Sequence, residues 1–348
     1  MRLERLGLTP GVVSTILQAR APATVKAYAN KWESFVNWCG DEVDPRTCTV
    51  GKVLEYLQVL VERGLAASTV RQYAAAINAC HDGWDGFSVF TCREGDQFFK
   101  GIKRGRPAAR PSVPEWDLPL VLDALCEPPF EPMGQTQIKW VSIKTALLLA
   151  LTSAKRAGDL CALSTQADCL ILTGDNQKAV LRPNPALHPK VMRKSFKNVT
   201  LELRAFHPPP HGEGEERLHR LCVVRALDHY VKCTEEFQSS NQLFVCFGGK
   251  EKGGPLSVRR LSQWLCEGIT TAYERAGREP PGVIKAHSTR GTSTSVALLK
   301  GVSVDEICSS AAWATPNTFI KHYLMDVASG SVAHSVLSTA PGAADVLH

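Results

Sequence analysis

Apolar residues in the first third of the chain recur every three or four positions, which is the spacing of one face of an α-helix. A first set comprises Thr24, Tyr28, Trp32, Phe35 and Trp38. The pattern predicts a second helix over residues 53–61, ending near Gly64, and a third that begins after Ser68 and Thr69. We expect Thr24 to cap the first helix and Ser68 or Thr69 to cap the third. Residues 22–105 are thus predicted to be helices around an apolar core.

The pattern changes in the second part of the chain, residues 115–340. Residues 140–151 indicate an apolar helix, whereas residues 169–175, 178–182 and 199–203 indicate short strands, the first two joined by a Gly-Asp-Asn turn. Helical patterns return at residues 223–232, 258–276, 292–299, 304–312 and 318–325. The chain is therefore predicted to be mainly α with a small antiparallel β-sheet, a helical domain preceding an α+β domain.

Composition fits two globular domains. The chain has 348 residues, more than one ordinary core holds, of which 44% are hydrophobic and 21% charged. A formal net charge of +6 permits an anionic partner, provided that the cations share one face. The 12 cysteines include no CxxC pair, so we expect reduced thiols rather than a zinc site. Because neither a signal peptide nor a membrane-length apolar run is evident, we expect an intracellular, soluble protein.

A basic segment separates the two parts. Its cations are Lys100, Lys103, Arg104, Arg106 and Arg110, with no acidic residue among them. Glycine and proline predict an irregular conformation here. The segment is a solvated linker, a strap that crosses a phosphate backbone, or a nuclear localisation signal. We place the domain boundaries at residues 1–105 and 119–340, with residues 106–118 as a basic linker.

Three short segments of the second part contain residues of catalytic type. They are Ser153-Ala-Lys-Arg156-Ala-Gly-Asp159-Leu160, Lys285-Ala-His287-Ser-Thr-Arg290, and the pair Trp313 and Tyr323. Each has a structural explanation when taken alone. An arginine three residues before an aspartate forms a helix-surface ion pair, His287 and Arg290 suit a polar helix start, and Tyr323 suits a half-buried aromatic.

Together, in this order, the segments resemble the tyrosine recombinase family over residues 22–330. The family's Thr-Gly-x-Arg-x-x-Glu-Leu appears with Ser, Ala and Asp replacing Thr, Gly and Glu, and its His-x-x-Arg appears at His287 and Arg290. Trp313 precedes Tyr323 by ten residues, one more than is usual, which places His322 where many members have the tyrosine. The pattern Trp-x-x-x-x-Thr-Phe-x-x-x-Tyr and the opening Ala21-Pro-Ala-Thr-Val-Lys-Ala-Tyr28 are most similar to the recombinases of DIRS-like and Ngaro-like retrotransposons.

The resemblance implies a core-binding (SAM-like) domain, then a catalytic domain that breaks and rejoins DNA. Tyr323 would attack phosphorus and form a 3′-phosphotyrosine, while Arg156 and Arg290 offset the charge of the transition state. His287 would act as hydrogen-bond donor or general base, and Trp313 would offer its indole N–H. Neither ATP, metal nor another cofactor is implied. Asp159 would support the helix that carries Arg156.

A lysine would supply the proton for the leaving 5′ oxygen. The family uses a lysine on a β-hairpin, and this chain offers Lys178, Lys190 and Lys194. Lys190 follows the first two predicted strands at about the right distance, so we favour it. Each of the three is otherwise explained as a solvated loop lysine.

The resemblance also implies double-stranded DNA as the partner, self-association into a tetramer on DNA, and a nuclear location. Residues 324–348 would pack on a neighbouring protomer or fray as a free terminus. Two other activities stay open at this point. A type IB topoisomerase shares the chemistry but relaxes supercoils, and a protein derived from a recombinase could bind DNA without cutting it.

Overall fold

The computed structural model describes residues 7–107, 116–174, 176–185, 200–206, 212–311, 313 and 315–325. The chain divides into two compact units, Met1–Arg110 and Pro111–His348.

The first unit is helical over its described residues. Its helices are α1 (Pro10–Leu17), α2 (Pro22–Cys39), α3 (Val50–Glu62), α4 (Ala67–Cys80) and α5 (Arg93–Gly105). Helix α4 packs against α2, α3 and α5. Phe35, Tyr56, Leu57 and Ile77 are buried in the core between them. This confirms the predicted helical domain.

Two predicted caps in this unit are wrong. Helix α2 begins at Pro22 rather than after Thr24, with Ala21 at its N-cap. Proline suits the first helical position because its φ is already helical and the N–H that it lacks would have no partner there. Helix α4 likewise begins at Ala67, with Ala66 at the N-cap, ahead of the predicted Ser68.

The first part of the basic segment is helical where irregular structure was predicted, because α5 continues to Gly105 and includes Lys100, Lys103 and Arg104. Phe99 and Ile102 are buried on the core at a helical spacing, and this burial outweighs the low helix propensity of glycine. Acidic residues in the first turn of α5 and basic residues in its last turn compensate the partial charges of the helix dipole and so stabilise the helix.

The second unit is α+β. Its helices are α6 (Leu118–Ala124), a 3₁₀ turn (Met133–Gln135), α7 (Ile138–Ser153), α8 (Ala157–Cys161), α9 (Glu213–Arg220), α10 (Val223–Thr234), α11 (Val258–Arg275), α12 (Ser288–Leu299), α13 (Val304–Ser310) and α14 (Pro316–His322). Helix α7 is buried on nearly all sides, since α10, α11 and α12 pack around it. That environment explains an apolar sequence with no polar face.

The strands β1 (Leu170–Leu172), β2 (Lys178–Leu181) and β3 (Leu201–Arg204) form an antiparallel sheet in the order β1-β2-β3. Leu170 pairs with Leu181, and Lys178 pairs with Arg204. The turn between β1 and β2 includes Asn176 at a positive φ of 54°. This small sheet confirms the predicted fold class.

A separate apolar cluster lies where α12, α13 and α14 meet the end of α7. Its buried members are Ala154, Ile307, Cys308, Ala311, Trp313, Phe319 and Tyr323. Helix α12 starts four residues before the predicted position, and α14 ends at His322, so Tyr323 lies at its C-cap. Several of the predicted catalytic residues are in or beside this cluster.

All twelve cysteines are free thiols. Within the described ranges, no three His, Cys, Asp or Glu side chains are grouped as a metal site requires. None of the described helices combines the length and the apolar character needed to span a bilayer.

Candidate active site

The end of α7 places Arg156. Ala154 caps the helix in the left-handed conformation at φ 49° and ψ 26°, at the motif position where the resemblance has glycine. An alanine in this conformation costs about 1 kcal/mol relative to glycine. The next turn makes Arg156 the N-cap of α8, and its backbone N–H donates to Asp159 Oδ2 at 3.1 Å. Asp159 thus fixes the backbone of Arg156, whose side chain is exposed.

The first turn of α12 places His287 and Arg290. The helix start is anchored from outside, because Trp116 Nε1 donates to Ser288 Oγ at 2.8 Å. Ser288 Oγ in turn donates to the Lys285 carbonyl at 2.6 Å. His287 is the exposed N-cap, whereas Arg290, one turn later, is 1% exposed. The two residues of the His-x-x-Arg motif therefore lie on one side of the helix, one at its rim and one in the interior.

The backbone of Tyr323 is fixed against the same helix. Ser295 Oγ donates to the Tyr323 carbonyl at 3.2 Å and accepts from the Met325 N–H at 2.9 Å. A Cβ at Gly291 would lie 3.3 Å from the Tyr323 carbonyl oxygen and 2.6 Å from Met325 Cε. The glycine therefore permits the close approach of the chain that follows α14.

Three aromatic rings and one guanidinium form the centre of the site. Trp313 and Tyr323 stack with ring centroids 4.5 Å apart at 29°, and His287 lies 5.2 Å from Tyr323. The Arg290 guanidinium carbon is 4.6 Å from the centre of the Trp313 ring and 5.0 Å from that of Tyr323. Such contacts hold a desolvated cation in place without a carboxylate partner.

Arg290 has unused hydrogen-bonding capacity. Its Nη2 donates to the Ala311 carbonyl, but its Nε and Nη1 atoms are buried without a hydrogen-bond partner. The indole Nε1 of Trp313 is likewise buried and unpartnered. Each such donor costs about 1–3 kcal/mol of stability. Two guanidinium N–H groups and one indole N–H next to one another match the needs of an oxyanion.

The positive charges of Arg156 and Arg290 lower the pKa values of neighbouring groups in the site. Burial, followed by the charge of Arg156, lowers the pKa of Arg290, which nevertheless stays protonated near neutral pH. Partial desolvation, then the charges of Arg290 and Arg156, lower the pKa of His287. Arg156 therefore lies close enough to contribute to the same electrostatic field, and the imidazole is neutral at pH 7.

The site includes a lysine that the sequence patterns did not single out. Lys155 precedes Arg156, and its side chain is 8% exposed. Burial lowers the pKa of Lys155 to about 8, with Asp159 opposing this shift and Arg290 adding to it. A lysine next to an arginine in a motif usually marks an exposed face, so only its burial in the folded chain distinguishes it.

The register of α14 favours Tyr323 over His322 as the residue that faces the site. Tyr323 is 7% exposed within the apolar cluster, whereas His322 is exposed. The separation of ten residues between Trp313 and Tyr323, one more than is usual, therefore still allows their rings to stack directly.

The predicted lysines are not brought into this centre by the described residues. Lys190 and Lys194 lie outside the described part of the chain. Lys178, on β2, forms an ion pair with Glu202 at 2.6 Å. A role for Lys190 as general acid stays a prediction.

The predicted DNA-binding cations belong to the first unit and are described by themselves. Lys100 forms an ion pair with Asp96 at 2.7 Å, and Arg106 Nη1 donates to the Val61 carbonyl at 2.7 Å. Lys103 and Arg104 are exposed, while Arg110 lies outside the described residues. Their contact with DNA stays a prediction.

Solved structures show what this fold is. It is similar to a lambda integrase dimer bound to a COC′ core site, at 14% identity over 92% of this chain and 95% of that one, with a TM-score of 0.53. It is also similar to the Tn1549 transposon integrase in complex with a circular intermediate DNA, at 13% identity over 84% and 85% of the two chains and a TM-score of 0.51. The fold is similar as well to XerH site-specific recombinase bound to palindromic difH substrate. The sequence identity is 14% over 78% of this chain and 67% of that one, and the TM-score is 0.50.

No protein-family model matches the sequence, and no curated protein matches it at a significant level. The solved structures establish a lambda integrase-like recombinase fold, which confirms the predicted helical domain and α+β catalytic-type domain. The retrotransposon branch stays a prediction.

Proposed function

We propose that this protein breaks and rejoins DNA strands through a covalent bond between Tyr323 and a 3′ phosphate, as a site-specific recombinase. The observation that carries the proposal is the pair of unpartnered, buried donors on Arg290 beside the stacked rings of Trp313 and Tyr323. A buried cation with free N–H groups next to a phenol suits an anionic substrate and an oxygen nucleophile.

The arginines bind the phosphate and stabilise its transition state. Arg290 offers Nε and Nη1 to the non-bridging oxygens, and Arg156 contributes from the exposed rim of the same field. Guanidinium groups bind phosphate oxygens in pairs and stay charged as negative charge builds on the pentavalent phosphorus. The Trp313 indole N–H supplies a further donor. Because Tyr323 covers Arg290 in this state, we expect the phenol ring to move aside as the phosphate enters.

His287 accepts the proton of the nucleophile. Its ring lies 5.2 Å from that of Tyr323, and its lowered pKa keeps it neutral at pH 7. A neutral imidazole beside the attacking phenol is suited to general-base catalysis. The phosphotyrosine retains the energy of the broken bond, so a free 5′ hydroxyl can attack it and rejoin the strand.

DNA is the proposed partner, since the neighbouring structures named above are DNA complexes. We further propose a tetramer on DNA and DNA contacts by the basic residues of the first unit. A retrotransposon of the DIRS or Ngaro kind and a nuclear location follow from the sequence resemblance alone.

The test is a covalent protein–DNA band that survives boiling in detergent. Purified protein is incubated with nicked duplex oligonucleotides, drawn from the ends of the element that encodes it and from a random pool. We expect the band with wild-type protein and with the control Tyr28→Phe, and its loss with Tyr323→Phe.

The other outcomes separate the alternatives. A band that persists with Tyr323→Phe moves the nucleophile elsewhere, and relaxation of a plasmid without any specific site indicates a topoisomerase. DNA binding by gel shift without any band, on both substrate sets, indicates a protein that no longer cuts. Absence of both binding and band would refute a nucleic-acid function.

A further inference from the structure

Strand cleavage requires a proton donor, and none of the described residues assigned to the phosphate or to the nucleophile supplies one. The departing 5′ oxygen leaves as a strongly basic alkoxide unless it is protonated. Arg156 and Arg290 hold their protons too tightly, and the indole of Trp313 does not exchange a proton in catalysis. His287 is neutral and assigned to Tyr323.

Lys155 is at the right place to supply this proton. It follows Ala154, which is buried in the same cluster as Trp313 and Tyr323, and it precedes Arg156. The charged groups that act on its side chain are Asp159 and Arg290, so it shares the environment of the arginine that we assign to the phosphate.

The ammonium group of Lys155 is also free to act. The residue is 8% exposed, and no hydrogen bond or ion pair of its Nζ is found within the described part of the chain. Nζ is not one of the buried, unpartnered atoms of the described residues, so the end of the side chain reaches the surface. The stem of Lys155 is thus held by the protein, while its ammonium group is accessible to a phosphodiester that binds at Arg290.

We propose that Lys155 is a further catalytic residue, which gives a proton from Nζ to the leaving 5′ oxygen. The assignment rests on the proposed function. As the bond between Tyr323 Oη and phosphorus forms, the bond between phosphorus and O5′ breaks, its electron pair stays on O5′, and the Nζ proton moves to that oxygen. In the rejoining step the 5′ hydroxyl returns this proton to Lys155 as it attacks the phosphotyrosine.

The environment of Lys155 supports this exchange. Desolvation weakens the hold of the amine on its proton and lowers the pKa to about 8. A general acid works best when its pKa lies near the operating pH, since it is then largely protonated and yet a ready donor. An exposed loop lysine at its ordinary pKa is a weaker acid.

The test uses a substrate that needs no proton donor. Nicked duplex oligonucleotides of one defined sequence, with the scissile position mapped from the wild-type covalent complex, are made in two forms, one with the normal 5′ oxygen and one with a 5′-bridging sulfur at that position. A thiolate is a good leaving group without protonation. For Lys155→Met we expect covalent-complex formation to fall about 100-fold or more on the oxygen substrate and to return to within a few-fold of wild type on the sulfur substrate.

Two further variants sharpen the result. Lys155→Arg keeps the positive charge but holds its proton, so it should fail on oxygen and recover on sulfur. Lys190→Met is the matched comparison on the competing lysine, and we expect its sulfur-to-oxygen rate ratio to stay near that of wild type. Rates are normalised to DNA bound in a gel shift, and circular dichroism checks that each variant is folded.

Several results would overturn the assignment. Equal losses on both substrates for Lys155→Met would make the lysine structural or phosphate-binding only, and no loss would make it dispensable. Selective sulfur rescue of Lys190→Met instead would make Lys190 the proton donor. Failure of the proposed function itself would look different, because wild-type protein would then form no covalent complex with either substrate.

Discussion

Two buried lysines lie along the same stretch of chain and have opposite surroundings. Lys144, in the middle of α7, is 0% exposed and donates to the Leu125 carbonyl at 2.8 Å and to the Glu131 carboxylate. Arg225 binds the two oxygens of that carboxylate at 2.7 and 3.1 Å. Lys155, just after α7, has no hydrogen bond or ion pair to any described residue.

Burial lowers the pKa of both lysines, so a shifted pKa alone does not separate structure from function. The difference lies in the partners. At Lys144 the carboxylate of Glu131 compensates the charge, and the cluster is closed within the protein. At Arg290 two guanidinium donors are unused, and its positive charge acts on Lys155 rather than on a carboxylate bound to it. A buried charge whose partner is missing points to a substrate, whereas a satisfied one points to the fold.

The largest effect is expected at Arg290. Lysine at this position keeps a charge but loses the two guanidinium donors that we assign to the phosphate, so Arg290→Lys should reduce covalent-complex formation about 10³-fold or more. The measurement is the rate at which each variant forms the covalent complex with a nicked duplex oligonucleotide. Arg278→Lys, at an exposed ion pair with Asp117, is the control and should change the rate less than two-fold or so. Comparable losses in both variants would contradict a special role for Arg290.

The next effect concerns stability at the satisfied lysine. Glu131→Ala leaves Lys144 buried without its carboxylate and should lower the free energy of unfolding by about 3–5 kcal/mol. Urea unfolding followed by circular dichroism gives this value. The double variant Glu131→Leu with Lys144→Met should be less destabilised than Glu131→Ala, since it leaves no uncompensated lysine.

The control for that series is Glu127→Ala, whose ion pair with Arg220 is exposed and 3.8 Å long. We expect a change below about 0.5 kcal/mol there. At temperatures where Glu131→Ala is folded, its rate of covalent-complex formation should match that of wild type. A large loss of activity without a loss of stability would place this ion cluster in the catalytic function after all.

The smallest effect is a pH dependence of stability. Because the folded-state pKa of Lys155 lies near 8, below its ordinary value of 10.5, the unfolded chain binds more protons between these values, and stability contributed by this group rises with pH. From pH 7.5 to 9.5 the free energy of unfolding of wild type should increase by about 2 kcal/mol relative to Lys155→Met. Urea unfolding at the two pH values, with reductant present, measures the difference.

An exposed lysine provides the reference for this pH series. Lys300→Met should follow wild type across the range, because Lys300 is solvated in the folded chain. If the free energy of unfolding depends on pH identically in wild type and Lys155→Met, Lys155 is not desolvated in solution. It would then behave as an ordinary surface lysine.

The elements of the fold were largely accessible from the sequence, whereas their ends were not. The apolar run of α7 and the alternation in the three strands predicted the right element types. The start of α2 at Pro22 and the helical state of Lys100, Lys103 and Arg104 were missed. In both places the deciding factor is which side chains the core buries, and local propensity does not contain that information.

The candidate site shows the same division. The resemblance of their order along the chain to that of tyrosine recombinases selected Arg156, His287, Arg290, Trp313 and Tyr323 as candidates, and their roles stay a proposal. Sequence could not show that Arg290 is buried with free donors, that Tyr323 rather than His322 packs on Trp313, or that Lys155 is desolvated.

The sequence by itself thus determined the kinds of elements, the two-part organisation and the chemical types at the site, since periodicity and functional-group identity are properties of the chain. Tertiary structure alone decided which of those groups are deprived of water and of partners. Burial depends on segments that are distant in sequence: Arg290 is covered by Trp313 and Tyr323, and its Nη2 atom is bonded to the Ala311 carbonyl. Desolvation sets proton affinity and electrostatic strength, so the reactivity that we propose for the site depends on the fold.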